Sequence, residues 1–167
     1  METEIKIEVT DLEPIRNRLR ALGANYVGAA DETNQYLDRD GELHGRDESL
    51  RLRQDGRVRL TWKGPTITID GVNERPEVEV EVGDFAVTRE LFERLGYSVV
   101  DRLAKRRETW RFPDAEIDLD TLAFGCFVEI EAPPRIAAKI ARDLGLDPQN
   151  GISMSYRILQ RRRTPSA

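Results

Sequence analysis

Along residues 2–9, Glu2, Glu4, Lys6 and Glu8 alternate with Thr3, Ile5, Ile7 and Val9. A period of two predicts a strand with one charged and one apolar face. The pattern recurs down the chain. Leu50 and Leu52 alternate with Arg51 and Arg53, and beyond Asp55-Gly56 the residues Val58, Leu60 and Trp62 alternate with Arg59, Thr61 and Lys63. That predicts a hairpin whose turn uses the positive φ that glycine tolerates. Residues 75–84 set Glu77, Glu79 and Glu81 against Val78, Val80 and Val82. Residues 103–112, 115–120 and 126–132 read as three further strands, and 25–38 as a strand, a turn and another strand. The polar, glycine-containing stretch 39–48 reads as a loop.

Between these segments the apolar period lengthens to that of helices. Over residues 10–24 Asp11 is placed to cap, Ile15, Leu19 and Leu22 share a face, and Gly23 suits the C-terminal end. Residues 87–97 form a second helix with Thr88 as cap, Leu91, Phe92 and Leu95 as its buried stripe and Gly96 at its end. A third runs over 133–147 through Ile136, Ile140 and Leu144, and 153–163 closes the chain as a fourth before a basic tail expected to fray. No low-complexity linker and no composition break divides the chain, so a single domain over 1–167 is expected.

So many charged faces admit two arrangements. Antiparallel strands can turn their charges to water. Alternatively, a closed barrel can turn its charges inward around a wet tunnel and its apolar faces outward beneath the amphipathic helices. Like charges at successive positions on one face repel, so either arrangement needs opposite charge on neighbouring strands. The chain has 26 Lys and Arg against 31 Asp and Glu, enough of both signs for that pairing.

The net charge of −5 argues against a duplex nucleic-acid binder with a broadly basic surface. Single residues of cysteine (Cys126) and histidine (His44) exclude thiolate zinc sites, paired-cysteine redox motifs and histidine-rich metal sites. Any metal must be held by oxygen, which favours magnesium, manganese or calcium. His44 reads as a solvated loop residue and Cys126 as a small packing residue. No window has the apolar length of a membrane span and the start of the chain is acidic, so a cytoplasmic protein without a membrane partner is expected.

The segment "ETEIK" fits the Glu-x-Glu-x-Lys signature of the CYTH, or triphosphate tunnel metalloenzyme, superfamily. "LRLR", "LTWKG", "EVEVE", the Lys-x-Arg at Lys105 and Arg107, "IDLD" and "FVEIE" follow in the order of that family's tunnel strands. The resemblance covers nearly the whole chain. It implies an α+β fold, a closed antiparallel eight-stranded β-barrel with flanking helices, that binds a small-molecule triphosphate such as ATP or tripolyphosphate with Mg2+ or Mn2+. It also implies a possible homodimer. By motif, Glu2, Glu4, Glu129 and Glu131 resemble the metal-side carboxylates, joined by Asp118 or Asp120. Lys6, Arg51, Arg53, Lys63, Lys105 and Arg107 resemble the phosphate-binding cations. Catalysis would rest on Glu4, Lys6, Lys105 and Glu131, with Glu77, Glu79 and Glu81 as a supporting acidic strand. Arg59 and Arg111 share the charged faces and match no family motif. Tyr36 reads as packing, and Tyr156 in "SMSYRIL" resembles the closing helix of one branch, where core packing is expected.

That branch is the class IV adenylyl cyclase-like one, in which the ribose hydroxyl of ATP attacks the α-phosphorus to give cyclic AMP and pyrophosphate. The same apparatus serves water attacking tripolyphosphate, thiamine triphosphate or a nucleoside triphosphate, and a non-catalytic polyphosphate-binding module would use the same cations.

Overall fold

The computed structural model describes residues 4–65, 67–69 and 72–163. Among the described residues the strands are β1 (Glu4–Val9), β2 (Asn25–Asp38), β3 (Ser49–Gln54), β4 (Val58–Lys63), β5 (Ile67–Ile69), β6 (Val72–Glu74), β7 (Glu77–Val82), β8 (Ser98–Phe112), β9 (Ala115–Leu122) and β10 (Gly125–Glu131). The helices are α1 (Glu13–Ala21), α2 (Glu42–Gly45), α3 (Phe85–Arg94), α4 (Pro134–Asp143) and α5 (Tyr156–Arg163). Eight strands form one antiparallel sheet in the order β1-β10-β9-β8-β2-β3-β4-β7, and β5 and β6 form a separate hairpin. The expected closure of a barrel is not made by hydrogen bonds. β1 and β7 end the order and, among the described residues, no ladder joins them. Alternation assigns each side chain to a face of its strand and carries no information on which edges meet. No helix of the described residues is long and apolar enough to cross a membrane.

The chain divides into two compact units, residues 1–31 with 105–167 and residues 32–104, so the chain leaves the first unit within β2 and returns to it within β8.

In the first unit, Ile7 of β1, Val128 and Ile130 of β10, Ile117 and Leu119 of β9 and Trp110 of β8 bury one face of the sheet. They pack against Leu12, Ile15 and Leu19 at α1 and against Ala137, Ile140, Ala141 and Leu144 at α4. The spacing of those helical residues keeps them on single faces, and Pro14 and Pro134 occupy the first turns, where a missing N–H costs nothing. The Asp11 carboxylate accepts from Glu13 N at 2.9 Å. Leu22, expected on the buried face of α1, lies at its C-terminal end and is 44% exposed.

In the second unit, Leu37, Leu43, Leu50 and Leu52 form the core beneath Trp62, Phe85, Phe92 and Tyr97. The hairpin turns where expected, with Gly56 at φ 94°. The stretch 25–38 is one long strand, and the loop after it contains the short α2. Asp38 fixes α2 by accepting from the backbone N–H groups of Arg39, Leu43 and His44. The cap of α3 is Asp84, which accepts from Val87 N at 2.8 Å. Thr88, the expected cap, instead donates to Asp84 O. Phe92 packs inward, but Leu91 and Leu95 are 59% and 57% exposed, because the inward arc of α3 is filled by Phe85 and Phe92.

Ile117 is fully buried, so Ile117→Ala should cost about 2–5 kcal/mol, whereas Leu91→Ala on the exposed side of α3 should stay within about 0.5 kcal/mol. Urea denaturation of the two variants measures the contrast.

Candidate functional site

The face of the first unit's sheet opposite α1 and α4 is charged. Strand register sets Glu4 opposite Glu131, Lys6 opposite Glu129, Glu129 opposite Asp118, and Asp120 opposite Arg107. Directly opposed carboxylates such as Glu4 with Glu131 and Glu129 with Asp118 repel unless cations intervene. Arg107 and Lys6 are those cations. The Arg107 guanidinium reaches Asp118 at 2.6 Å, donates from Nε and Nη2 to the two oxygens of Asp120 at 2.8 and 2.6 Å, and pairs with Glu129. Lys6 Nζ lies 2.9 Å from Glu4 and 3.2 Å from Glu129.

Asp120 is the centre of this network and has no exposed surface. Besides Arg107 it accepts from Lys105 Nζ at 2.9 Å and from the Tyr156 hydroxyl at 2.9 Å. Burial pushes the Asp120 carboxyl up, but the Arg107 hydrogen bonds and the charges of Lys105 and Arg107 outweigh it and hold the group at about 2. Asp118 is raised by its burial against the pull of Arg107 and of Thr109, whose hydroxyl donates to it at 2.6 Å.

Glu4 and Glu129 form a second centre around the Lys6 ammonium. Burial and the nearby charges of Glu4 and Asp120 raise Glu129. Burial pushes Glu4 up as well, but Lys6 outweighs it, so Glu4 is lowered. Two neighbouring carboxylates held by one ammonium offer hard oxygen donors of the kind a dication takes. Oxygen donors of this kind suit Mg2+ or Mn2+. Glu131 stands beside Glu4 across the ladder, while Glu2 lies outside the described residues. Among the described residues no three acidic, histidine or cysteine side chains converge as a ready cage.

The second unit carries a charged face of its own. Arg53 stands opposite both Asn34 and Arg59, Arg51 opposite Thr61, Thr61 opposite Glu79, and Lys63 opposite Glu77. Arg53 donates to Asn34 at 3.1 Å and lies 3.3 Å from the buried Glu32. Thr61 donates to Glu79 at 2.7 Å, which lowers Glu79. Lys63 pairs with Glu77 at 2.9 Å, and Glu81 faces Arg57 at 3.7 Å. Arg59, which matches no family motif, pairs with Asp55 and lies 3.7 Å from Glu79; Arg111 pairs with Glu116 at 2.7 Å. The Nε groups of Arg51 and Arg59 are buried with no hydrogen-bond partner among the described residues. An orphaned guanidinium N–H costs free energy that an arriving anion recovers.

Sequence reasoning missed Glu32, Asn34, Thr61 and Thr109, each of which stands with the charged groups of its unit, and assigned Tyr156 to packing alone. Thr61 and Thr109 were legible in principle, since both fall in phase with the charged positions of β4 and β8. Nothing in local periodicity points to Tyr156.

The model of the CYTH domain family matches residues 1–156. The chain belongs to the CYTH domain family. A Methanocaldococcus jannaschii protein named as a putative adenylate cyclase is 32% identical over 135 residues, spanning 78% of this chain and 76% of its own. The structure of the PH1012 protein from Pyrococcus horikoshii superposes with a TM-score of 0.79 at 28% identity, covering 95% of this chain and 99% of its own. A Hippeastrum protein, described as a putative adenylyl cyclase with a dominant triphosphatase activity, shares the fold with a TM-score of 0.71 at 18% identity over 97% of this chain and 96% of its own.

The Asp120 carboxyl lies below its ordinary value of about 3.9, so the bond network it anchors stabilises this CYTH domain above that pH and is lost as pH falls toward 2, by about 2–3 kcal/mol. Urea denaturation of metal-free protein between pH 2 and 5 should show this rise, and the Asp120 carboxyl carbon should titrate near pH 2 by NMR.

Proposed function

We propose that this CYTH domain protein is a divalent-metal-dependent enzyme acting on a small-molecule triphosphate. The reaction we assign is cyclisation of ATP to cyclic AMP and pyrophosphate. One observation carries the reading: the second unit's face of interleaved acids and bases retains the buried Nε groups of Arg51 and Arg59 without hydrogen-bond partners among the described residues. Such groups bind phosphate oxygens through charge-assisted hydrogen bonds. The 32% identical relative supports the cyclase assignment through its name.

Lys6, Lys105 and Arg107 of the first unit and Arg51, Arg53 and Lys63 of the second are the phosphate-binding cations in this reading. Glu4, Glu129 and Glu131 would hold Mg2+ or Mn2+, with Asp118 beside them, whereas Asp120 is committed to Lys105, Arg107 and Tyr156. A bound dication supplies neutralisation of phosphate charge and polarisation of a phosphoryl oxygen. The protein's own groups do the rest. The cations orient the chain of phosphates and stabilise charge that develops on the leaving pyrophosphate. A carboxylate of this face that is not engaged with the metal would position the attacking hydroxyl and take its proton.

A second reading, hydrolysis of tripolyphosphate or another triphosphate, is favoured by the chemistry of both faces. Their Arg, Lys, Asp and Glu groups recognise phosphate and metal, which tripolyphosphate and ATP share. Incubating the protein with Mg2+ or Mn2+ and ATP, and separately with tripolyphosphate, then resolving the products by chromatography, separates the two. Matching cyclic AMP and pyrophosphate establish the cyclase; orthophosphate without cyclic AMP establishes the triphosphatase; no product from either substrate overturns the enzyme reading.

Glu4→Gln and Glu131→Gln should abolish metal-dependent turnover while leaving the thermal melt intact, and full activity in both would remove the proposed metal site. Arg51→Ala should weaken tripolyphosphate binding by about 1.5–3 kcal/mol, roughly 10- to 150-fold in Kd, with little change in stability, because its Nε has no hydrogen-bond partner among the described residues. Isothermal titration calorimetry reads that loss.

A further inference from the structure

Tyr156, the first residue of α5, is 7% exposed and touches both ammonium groups of the first unit's charged face. Lys6 Nζ lies 4.5 Å and Lys105 Nζ 5.0 Å from the centre of its ring. Its hydroxyl donates to the same Asp120 oxygen that accepts from Lys105. The ring is held in turn by Phe127, 5.1 Å away at an interplanar angle of 70°. A core residue chosen only to fill space has no need to meet two like charges, and the attraction of an ammonium for an aromatic face is what makes the arrangement tenable.

The segment bearing Tyr156 is fastened at both ends. Ile152 N donates to Lys6 O at 2.7 Å, so the backbone of the very residue whose ammonium meets the ring is also bound. At the far end Arg163 pairs with Glu8 at 2.7 Å and donates to Phe124 O at 3.2 Å. The family match ends at residue 156, so nearly all of α5, Arg163 included, lies beyond it.

We propose that Tyr156 is a positioning residue whose ring fixes the separation of the Lys6 and Lys105 ammonium groups, and that the Arg163–Glu8 pair latches α5 so that the ring stays in place. The inference rests on the reading of these lysines as phosphate-binding. A lysine has a flexible stem and a compact, strongly hydrated charge. Holding two of them at a set spacing before a polyphosphate arrives removes an ordering cost from binding.

Two measurements test this. NMR of the lysine ε-methylene groups, assigned through Lys6→Arg and Lys105→Arg, should show ring-shifted resonances that vanish in Tyr156→Leu and persist in Tyr156→Phe. This readout needs no substrate. Calorimetry with tripolyphosphate in metal-free buffer should show affinity falling about tenfold or more in Tyr156→Leu, recovering to within about threefold of the natural protein in Tyr156→Phe, and falling about threefold in Arg163→Ala. Arg163→Ala changes an exposed side chain and keeps the test available if Tyr156→Leu does not fold. Tyr156→Leu binding as tightly as the natural protein, or lysine resonances indifferent to the ring, overturns the proposal. If that variant does not fold, Arg163→Ala with unchanged affinity and unchanged resonances overturns it. Ring-shifted lysines in a natural protein that binds no tripolyphosphate would support the positioning and overturn the phosphate reading instead.

Discussion

A carboxylate with no exposed surface is tenable only where several donors replace its water, because the effective cost of burying an unpaired charge is several kcal/mol. Asp120 meets that condition through Lys105, two nitrogens of Arg107 and the hydroxyl of Tyr156. Much else in the first unit follows. Arg107, drawn to Asp120, also spans Asp118 and Glu129, so directly opposed acids on neighbouring strands can coexist. The residues that answer Asp120 come from β8 and α5, which ties the closing helix of the chain to the middle of the sheet.

The two charged faces solve the same problem to different degrees. In the first unit, acids and bases are closely matched: Arg107 spans Asp118, Asp120 and Glu129, and Lys6 stands between Glu4 and Glu129. In the second, Arg53 and Arg59 have acidic partners, yet the Nε groups of Arg51 and Arg59 have no hydrogen-bond partner among the described residues. The first is chemistry suited to a dication, the second to an anion.

Most of this arrangement is legible in the alternation of residues along the chain. The faces of β1, β3, β4, β9 and β10 fall as the period of two requires, whereas on β7 only Val82 packs inward and Val78 and Val80 are 64% and 53% exposed. The helices α1 and α4 bury the residues their spacing selects, apart from Leu22. Where local reasoning failed, the deciding factor was remote in sequence. Leu91 and Leu95 have the right spacing for a buried stripe, yet Phe85 and Phe92 already fill the inward arc of α3. Thr88 has the right chemistry for a cap, yet Asp84 begins the helix one turn earlier.

The sequence by itself determined which side chains share a face, which sign each face carries and that any metal must bind through oxygen, because these depend on strand period and residue chemistry alone. Tertiary structure alone decided which acids are taken up by cations, that Tyr156 stands against both Lys6 and Lys105, and that β1 and β7 are not joined by hydrogen bonds among the described residues. Those outcomes depend on contacts between residues far apart in the chain, such as Asp120 with Tyr156 and Glu8 with Arg163. No period measured along one segment encodes them.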